Sequence, residues 1–270
     1  MTSTMASDPR PHAALHVESA GAGAPLVLLH GWAMHGGVFA TLVSALARRH
    51  RVHAVDLPGH GHSPAAEPFT LDAIVAQVAN AFAVTEVPIT VLGWSFGATV
   101  ALRWAQLEPA RIARLVLVGA TPKFVADEQW APAMSAATLA RFGDELRVAY
   151  RATLLRFLSL QVHGSEEGRT TLAALRHTLF ARGEPSPAAL AAALGVLARA
   201  DLRADVAAIA TPTLVVGGDR DTLTPDAAGA WLAAAMPHAR HVVIPGAGHA
   251  PFLSHRAAFD VAVTEFLNAV

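Results

Sequence analysis

A serine flanked by glycines lies where an apolar run gives way to a helical pattern. The segment GWSFG covers residues 93–97 and matches the pattern G-x-S-x-G, with Ser95 at its centre. A serine on such a sharp strand-to-helix turn needs glycine two positions away on each side, because larger side chains would collide there. The N–H groups that begin the helix would favour a developing negative charge. The pattern favours a nucleophile at Ser95; the alternative is that Ser95 only caps the helix.

A serine hydroxyl is a poor nucleophile near neutral pH, so this interpretation requires a base. The chain has 14 histidines, and His249 differs from the others by its setting. It lies in the segment PGAGHAPF, on a glycine-rich loop after the last predicted strand. Such a loop returns over the carboxyl edge of a parallel sheet, where ligands bind. We predict His249 as the base and expect most other histidines to be surface or loop residues.

The base in turn requires an acid that fixes its tautomer and stabilises the imidazolium. The segment VVGGDRDTLTP follows the next-to-last predicted strand and offers Asp219 and Asp221. Asp219 is close to the strand end, where it would cap the turn, whereas Asp221 lies further into the loop. We favour Asp221 and keep Asp219 as the alternative. The chain order is then serine, aspartate, histidine.

Negative charge that develops on a carbonyl oxygen needs hydrogen-bond donors close to the nucleophile. We predict the backbone N–H of Phe96, directly after Ser95, as one donor. The second predicted donor is the N–H of Trp32, in the segment LLHGWAM that follows an earlier strand. His30 and Gly31 would shape this loop, and we interpret His30 as structural rather than catalytic.

Short apolar runs alternate with longer helical patterns along most of the chain. Continuous apolar runs are typical of strands buried on both faces of a parallel sheet. The predicted strands are residues 15–18, 26–29, 52–56, 89–93, 115–119, 214–217 and 242–244. The predicted helices are about 38–49, 71–82, 96–108, 226–235 and 256–269. The fold class is therefore α/β, with an open, mostly parallel central sheet flanked by helices.

The alternation stops between about Pro122 and Ala204, where helical patterns follow one another. An all-helical insertion in a parallel sheet is expected to lie as a cap over the carboxyl ends of the strands. We therefore predict a core of residues 1–121 and 205–270 and a helical cap of residues 122–204. Residues 1–11 are expected to be disordered.

Composition argues against several other classes of protein. A formal net charge of −1 gives no support for a nucleic-acid partner. The absence of cysteine excludes disulfides, thiolate chemistry and cysteine-based metal sites. The histidines lack metal-ligand spacing and no phosphate loop is present, so neither a metal nor a cofactor is predicted. Without a secretory leader or a membrane-length apolar run, we expect a cytoplasmic monomer that binds no membrane.

The motifs described above resemble those of the α/β-hydrolase family over residues 25–270. A narrower resemblance, to the pimeloyl-[acyl-carrier protein] methyl ester esterases of biotin precursor synthesis, rests on the segments LVLLHGW, VDLPGHGHS, GWS, RFLSLQ, ADLR and HAPFLSH. It implies a serine carboxylesterase that cleaves the methyl ester of pimeloyl-acyl-carrier protein, accepts short-chain acyl esters and needs no cofactor. It also implies substrate contacts from Trp32, Trp94, Phe96, Phe157, Leu158, Ser159, Leu160 and Gln161.

Two positions depart from the sequences that the chain resembles. Phe96 and Ala98 stand where those sequences tend to have leucine and glycine. These two residues would change the pocket wall or the packing of the helix after Ser95.

The predicted cap is more basic than the rest of the chain. From Arg141 to Arg182, seven arginines stand against four acidic residues. Acyl carrier proteins are acidic, so a basic face would steer one towards the cap. Residues 147 and 151, and residues 169 and 176, have spacings that share a helix face. The candidate docking residues are Arg147, Arg151, Arg156, Arg169 and Arg176; alternatively, they only solvate an alanine-rich surface.

Other functions would use the same residues. A broad-specificity carboxylesterase, an enol-lactonase or a hydrolase of carbon–carbon bonds would differ only in the cap and pocket. A non-catalytic ligand-binding relative would keep the pocket without turnover. Epoxide hydrolases and haloalkane dehalogenases fit poorly, because they place aspartate where Ser95 stands.

Overall fold

The computed structural model describes residues 14–269, which form a seven-stranded sheet with flanking helices. The strand order is β1-β3-β2-β4-β5-β6-β7; β1 is antiparallel to β3, and every other neighbouring pair is parallel. The predicted α/β class with a mostly parallel sheet is confirmed. The predicted disorder of residues 1–11 lies outside the described residues. The strands are β1 Val17–Ala20, β2 Ala24–Leu29, β3 His50–Val55, β4 Ile89–Trp94, β5 Ile112–Val118, β6 Thr213–Gly218 and β7 Ala239–Ile244.

Several strands begin before their predicted start. β5 and β7 begin three residues before it, and β2 and β3 begin two residues before it. The first residues of β3 and β7 are polar or partly exposed, so no apolar run marks them, although they pair with the neighbouring strand through the backbone. β1 is confined to the residues that pair with β3. The inner strands are buried over most of their length, which explains why hydrophobicity revealed them.

Helices pack against the sheet and form the segment between β5 and β6. The predicted helix over 38–49 is shorter than expected at both ends: a 3-10 turn at Gly36–Phe39 includes its first two residues, and residues 47–49 after Leu46 form a turn. The short helix after His249 was not predicted, since four residues are too few to show a helical period. In the described part of the chain, no helix combines the length and hydropathy needed to cross a bilayer. The helices are α1 Ala40–Leu46, α2 Leu71–Ala81, α3 Phe96–Leu107, α4 Ala136–Val148, α5 Tyr150–Gln161, α6 Gly168–Leu179, α7 Pro187–Arg199, α8 Asp226–Ala235, α9 Pro251–Ser254 and α10 Arg256–Asn268.

Residues 122–204, which we call the helical insertion, contain α4 to α7. The segment that enters the insertion after β5 and the segment that leaves it before β6 lie side by side. The N–H of Leu202 donates to the carbonyl of Pro122 at 2.9 Å. The ammonium group of Lys123 lies 3.2 Å from the carboxylate of Asp201. The two connections of the insertion are therefore joined at its base.

A buried ion pair fastens the insertion to the loop after β3. Nη1 of Arg182 lies 2.6 Å from both carboxylate oxygens of Asp56. Asp56 also accepts the N–H groups of Gly36 at 2.8 Å and His62 at 2.9 Å. Burial alone would raise the pKa of Asp56, but the two backbone N–H bonds together with nearby positive charge lower it. Asp56 therefore stays ionised and ties its glycine-rich loop both to the sheet and to the insertion.

We expect Arg182→Met to destabilise the protein by about 3–5 kcal/mol, because it leaves the buried Asp56 carboxylate without its cation. Urea unfolding measures this loss. Arg151→Met is the matched control, since Arg151 pairs with Glu184 at the surface of the same insertion and should cost about 1 kcal/mol or less. Equal losses in the two variants would contradict the interpretation of the Arg182–Asp56 pair.

Candidate active site

Ser95 lies on the turn between β4 and α3. Its φ of 55° and ψ of −115° place it in a backbone region that favours glycine, at a cost on the order of 1–3 kcal/mol. A Cβ atom on Gly93 would lie 2.4 Å from the Gly97 carbonyl oxygen, and one on Gly97 would lie 2.1 Å from the Leu29 carbonyl oxygen. The predicted need for glycine at both positions is confirmed. Ser95 occupies the N-cap position of α3, but its side chain makes no capping hydrogen bond, so this geometry gives no support to a role limited to capping.

A histidine and an aspartate meet in the loops that follow β6 and β7. Nδ1 of His249 lies 2.7 Å from Oδ2 of Asp221, and both side chains are buried. Asp219 has a different partner, because its carboxylate accepts the N–H of Gly246 at 2.7 Å. The geometry therefore selects Asp221 over Asp219 as the partner of His249.

The Asp221 carboxylate is surrounded by donors. It accepts the N–H groups of Leu223 at 2.9 Å and Thr224 at 3.0 Å, and the Thr224 hydroxyl at 2.7 Å. Burial alone would raise the pKa of Asp221, but the charge of His249 and these hydrogen bonds outweigh burial and lower it. An ionised carboxylate can only accept, so the proton of the neutral imidazole resides on Nδ1. Nε2 of His249 therefore keeps a free lone pair.

The serine and the imidazole lie at the same end of the sheet. The N–H of Ser95 donates to the carbonyl of Val118 at 2.9 Å. A Cβ atom on the next residue, Gly119, would lie 3.0 Å from Nδ1 and from Cε1 of His249. The imidazole of His249 forms its hydrogen bonds with Asp221 and Thr224 rather than with Ser95 Oγ. Bonds between a nucleophile and its base are often long without substrate and shorten when substrate binds.

The two predicted oxyanion donors come from positions next to the serine. Phe96 is the first residue of α3, where an N–H has no partner within the helix. Trp32 follows Gly31, which approaches so closely that a Cβ atom on it would lie 3.3 Å from Cβ of Ser95. Trp32 and Ser95 also line one cavity. The use of these two N–H groups as donors stays a prediction.

His30 holds the loop after β2 with both of its ring nitrogens. Nδ1 lies 2.8 Å from the Gly31 carbonyl oxygen, and Nε2 accepts the N–H of Leu57 at 2.9 Å. Burial, together with the neighbouring His60, lowers the pKa of His30 to about 3. Burial also lowers the pKa of His60 to about 4. With no free ring nitrogen, His30 fits the structural role expected from the sequence.

An apolar cavity opens beside Ser95, between the sheet and the insertion. Together with its mouth it holds about 500 Å³ of space not filled by atoms. Three of the predicted substrate residues line it: Trp32, Phe157 and Leu160. The rings of Trp32 and Phe157 meet edge to face with centroids 4.9 Å apart. The lining residues that sequence analysis missed are Phe124, Met134, Thr138, Leu139, Phe142, Leu194, Leu197 and Leu223.

The other predicted substrate residues do not line this cavity. The indole N–H of Trp94 donates to the His249 carbonyl at 2.8 Å, beneath the serine turn. The hydroxyl of Ser159 donates to the Leu155 carbonyl at 3.1 Å. Consecutive residues face all sides of a helix, so residues 157 and 160 of α5 can share the cavity side while their neighbours point elsewhere. The residues placed outside the lining are Trp94, Phe96, Leu158, Ser159 and Gln161.

Most of the predicted docking arginines already have acidic partners in the insertion. Arg147 pairs with Asp144, Arg151 with Glu184 and Arg156 with Glu145. The predicted shared face of residues 147 and 151 is wrong, because the chain leaves the helical conformation at residue 149, between α4 and α5. Arg169 and Arg176 are exposed on α6, where their seven-residue spacing does place them on one face.

The turn between α5 and α6, residues 162–167, is bonded to the loops that carry Asp221 and His249. The N–H of His249 donates to the carbonyl of Gln161, the last residue of α5, at 2.9 Å. The N–H of Glu166 donates to the carbonyl of Gly246 at 3.1 Å. Arg220 donates to the carbonyl of Gly164 at 2.8 Å. The insertion therefore supports both loops directly.

We expect the folded protein to lose stability as the pH falls from about 6.5 to about 4. Histidine in an unfolded chain has a pKa near 6.5, so over this range the unfolded state binds protons that buried His30 and His60 do not. His60 contributes on the order of 3 kcal/mol to this loss. Urea unfolding at several pH values measures the slope.

His60→Asn, which can still donate to the Pro58 carbonyl, should flatten the slope. His163→Asn, at an exposed position in the α5–α6 turn, is the control and should leave the slope unchanged. The interpretation fails if both variants keep the wild-type slope.

Known proteins agree with this architecture. The family described as alpha/beta hydrolase fold matches residues 24–256. The pimeloyl-[acyl-carrier protein] methyl ester esterase of Chromobacterium violaceum is 45% identical over 254 residues, 94% of this chain and 98% of that protein. Its counterpart from Xanthomonas axonopodis pv. citri is 46% identical over 258 residues, 95% of this chain and 100% of that protein.

Solved structures show the same fold at lower identity. An esterase from Exiguobacterium antarcticum has a TM-score of 0.85 at 21% identity, covering 94% of this chain and 96% of that chain. The enol-lactonase from Burkholderia xenovorans has a TM-score of 0.82 at 24% identity, again covering 94% of this chain and 96% of that chain. The chain therefore belongs to the α/β hydrolase family and, within it, to the family of the pimeloyl-[acyl-carrier protein] methyl ester esterases.

Proposed function

We propose that this chain is a serine carboxylesterase that hydrolyses the methyl ester of a pimeloyl group carried on acyl carrier protein, and that it also accepts short-chain acyl esters. The observation that carries the chemistry is the buried His249–Asp221 pair at the same sheet end as the strained Ser95 turn. The substrate is supported by the near full-length identity to esterases of that name.

In this mechanism Ser95 Oγ attacks the ester carbonyl while its proton passes to Nε2 of His249. The N–H groups of Trp32 and Phe96 donate to the oxyanion of the tetrahedral intermediate. The intermediate collapses as His249 returns the proton to the methoxy oxygen, so methanol leaves and an acyl-enzyme remains. Water then gives a proton to Nε2 of His249 and attacks the acyl carbonyl. As the second intermediate collapses, His249 returns this proton to Ser95 Oγ, and the free acid leaves.

Asp221 supports both proton transfers without being protonated itself. Its lowered pKa keeps it ionised, so it holds the proton of the neutral imidazole on Nδ1 and stabilises the imidazolium. The Thr224 hydroxyl and the backbone N–H groups of its loop hold the carboxylate in place.

The cavity suits the acyl part of such a substrate. Its lining is apolar apart from Ser95 and Thr138, which fits a chain of methylene groups. Leu160 is 39% exposed and Thr138 is exposed, so these two residues form the mouth. With the methyl ester at Ser95, the chain would leave through this mouth to the carrier protein outside. Arg156 is one helical turn before Leu160, and Arg169 follows on α6.

The proposed setting is biotin precursor synthesis in the cytoplasm, by a monomer. A broad carboxylesterase, an enol-lactonase or a carbon–carbon bond hydrolase would share the triad, so the substrate comparison below decides between them. Labelling of Ser95 by a fluorophosphonate decides against a non-catalytic binding role, because only an activated serine reacts.

We expect Ser95→Ala to lower kcat for a short-chain ester by at least about 10⁴-fold and to leave the fold intact. Asp221→Asn should lower kcat by about 10³–10⁴-fold, because the amide no longer holds the proton on Nδ1 of His249. Asp219→Asn is the matched control and should keep most of the activity. Steady-state assays with circular dichroism test all three; near wild-type hydrolysis by Ser95→Ala would refute the mechanism.

We also expect kcat/KM to be higher for the carrier-bound pimeloyl methyl ester than for free short-chain esters. Replacing Arg156 and Arg169 together by glutamate should raise KM for the carrier-bound ester by about tenfold, since reversing charges weakens the encounter with an acidic partner. Turnover of a free ester should be unchanged. Replacing Arg48 and Arg49, two exposed arginines of the core, together by glutamate gives the same change in net charge and is the matched control. Equal kcat/KM for free and carrier-bound esters would overturn the substrate assignment while leaving the esterase in place.

A further inference from the structure

We propose that Leu139 of α4 and Leu194 of α7 form a partition that limits the length of an acyl chain whose far end is free. This inference rests on the proposed esterase function and concerns the same cavity. It concerns chains that end inside the protein, not chains that continue through the mouth to a carrier.

Two separate spaces meet at these leucines. The cavity that contains Ser95 lies between the sheet and the insertion, and Leu139 and Leu194 are part of its wall. An outer groove, with about 910 Å³ of space not filled by atoms, runs between α4 and α7, and the same two leucines line it. They are the two residues that the linings share, so their side chains separate the inner cavity from the outer groove.

The groove on the outer side of the partition is lined mainly by small apolar residues, together with Val125 and the Asp144–Arg147 ion pair. Ala140 and Gly143 of α4 face Ala191 and Gly195 of α7 across it. A Cβ atom on Gly143 would lie 3.6 Å from Cδ2 of Leu194, in ordinary contact, so Leu194 lies directly over this position. Truncating either leucine removes the side-chain atoms that lie between the two spaces.

The mouth gives a free chain no comparable environment. A chain that leaves between Leu160 and Thr138 reaches solvent, and its outer methylene groups gain nothing from burial. A chain that passes an opened partition would instead lie against the alanine and glycine residues of the groove, where each buried methylene contributes roughly a fourfold gain in binding. Chain length is therefore the property that an opened partition should change.

The test compares Leu139→Ala and Leu194→Ala with wild type on p-nitrophenyl esters of butyrate, octanoate and dodecanoate. We expect the ratio of kcat/KM for dodecanoate to that for butyrate to rise by about tenfold or more in each variant. Leu197→Ala is the matched control, because Leu197 lines the inner cavity but not the groove; it should change the ratio by no more than about twofold.

A second measurement does not depend on turnover. Ser95 labelling by an ethyl and by a dodecyl fluorophosphonate reports access to the serine. The rate of labelling by the dodecyl probe should rise in Leu139→Ala and Leu194→Ala but not in Leu197→Ala. Leu194→Val, a smaller change that protects folding, should shift both readouts in the same direction. If the ratio of kcat/KM for dodecanoate to that for butyrate is unchanged while butyrate turnover is normal, the proposed partition is refuted but the esterase function is not. Loss of all ester turnover in wild type would instead overturn the proposed function.

Discussion

The site depends on how closely the start of α3 approaches the end of β2. At 2.1 Å from the Leu29 carbonyl oxygen there is no room for a Cβ atom on residue 97, so the chain must carry glycine there. Only with that contact can Ser95 hold its left-handed turn conformation. The same approach brings the loop after β2, with Trp32, beside the serine. The strain at Ser95 is supported by the buried strands on either side, since its N–H is bonded to the end of β5.

Two buried carboxylates organise the loops around that turn. Asp221 and Asp56 both have lowered pKa values because donors outweigh the effect of burial, so both stay ionised. The Asp221 carboxylate contacts the imidazole of His249, where proton transfer is proposed. The Asp56 carboxylate forms an ion pair with Arg182, and this pair joins the core to the insertion that covers the cavity. Similar local chemistry thus serves the reaction in one loop and the architecture in the other.

The parts of the site that depend on short chain segments could be predicted from sequence. The Ser95 turn and the loop with Asp221 each follow a buried strand. The glycine-rich loop with His249 follows β7, which is apolar over residues 242–244 although only Ile244 is buried. Pattern and spacing therefore predicted these three segments. The lining of the cavity could not be predicted, because an apolar residue such as Leu194 looks the same whether it faces a cavity or a core. The break between α4 and α5 was missed for a related reason, since alanine and arginine at residues 149–152 favour helix continuation. The partner of Asp56 was missed because 126 residues separate it from Arg182.

The bond from the N–H of His249 to the carbonyl of Gln161 makes the insertion hard to exchange as a module. One way to change such a hydrolase would be to build a chimaera that combines its core with the helical insertion of another protein. In this chain such an exchange would remove the group that holds the backbone of the proposed base, and the α5–α6 turn that supports the aspartate loop. New helices must therefore bring their own carbonyl to that position. In this chain, substitutions that change the path of the backbone at the end of α5 would therefore disturb the proposed base, whereas changes elsewhere in the insertion need not reach it.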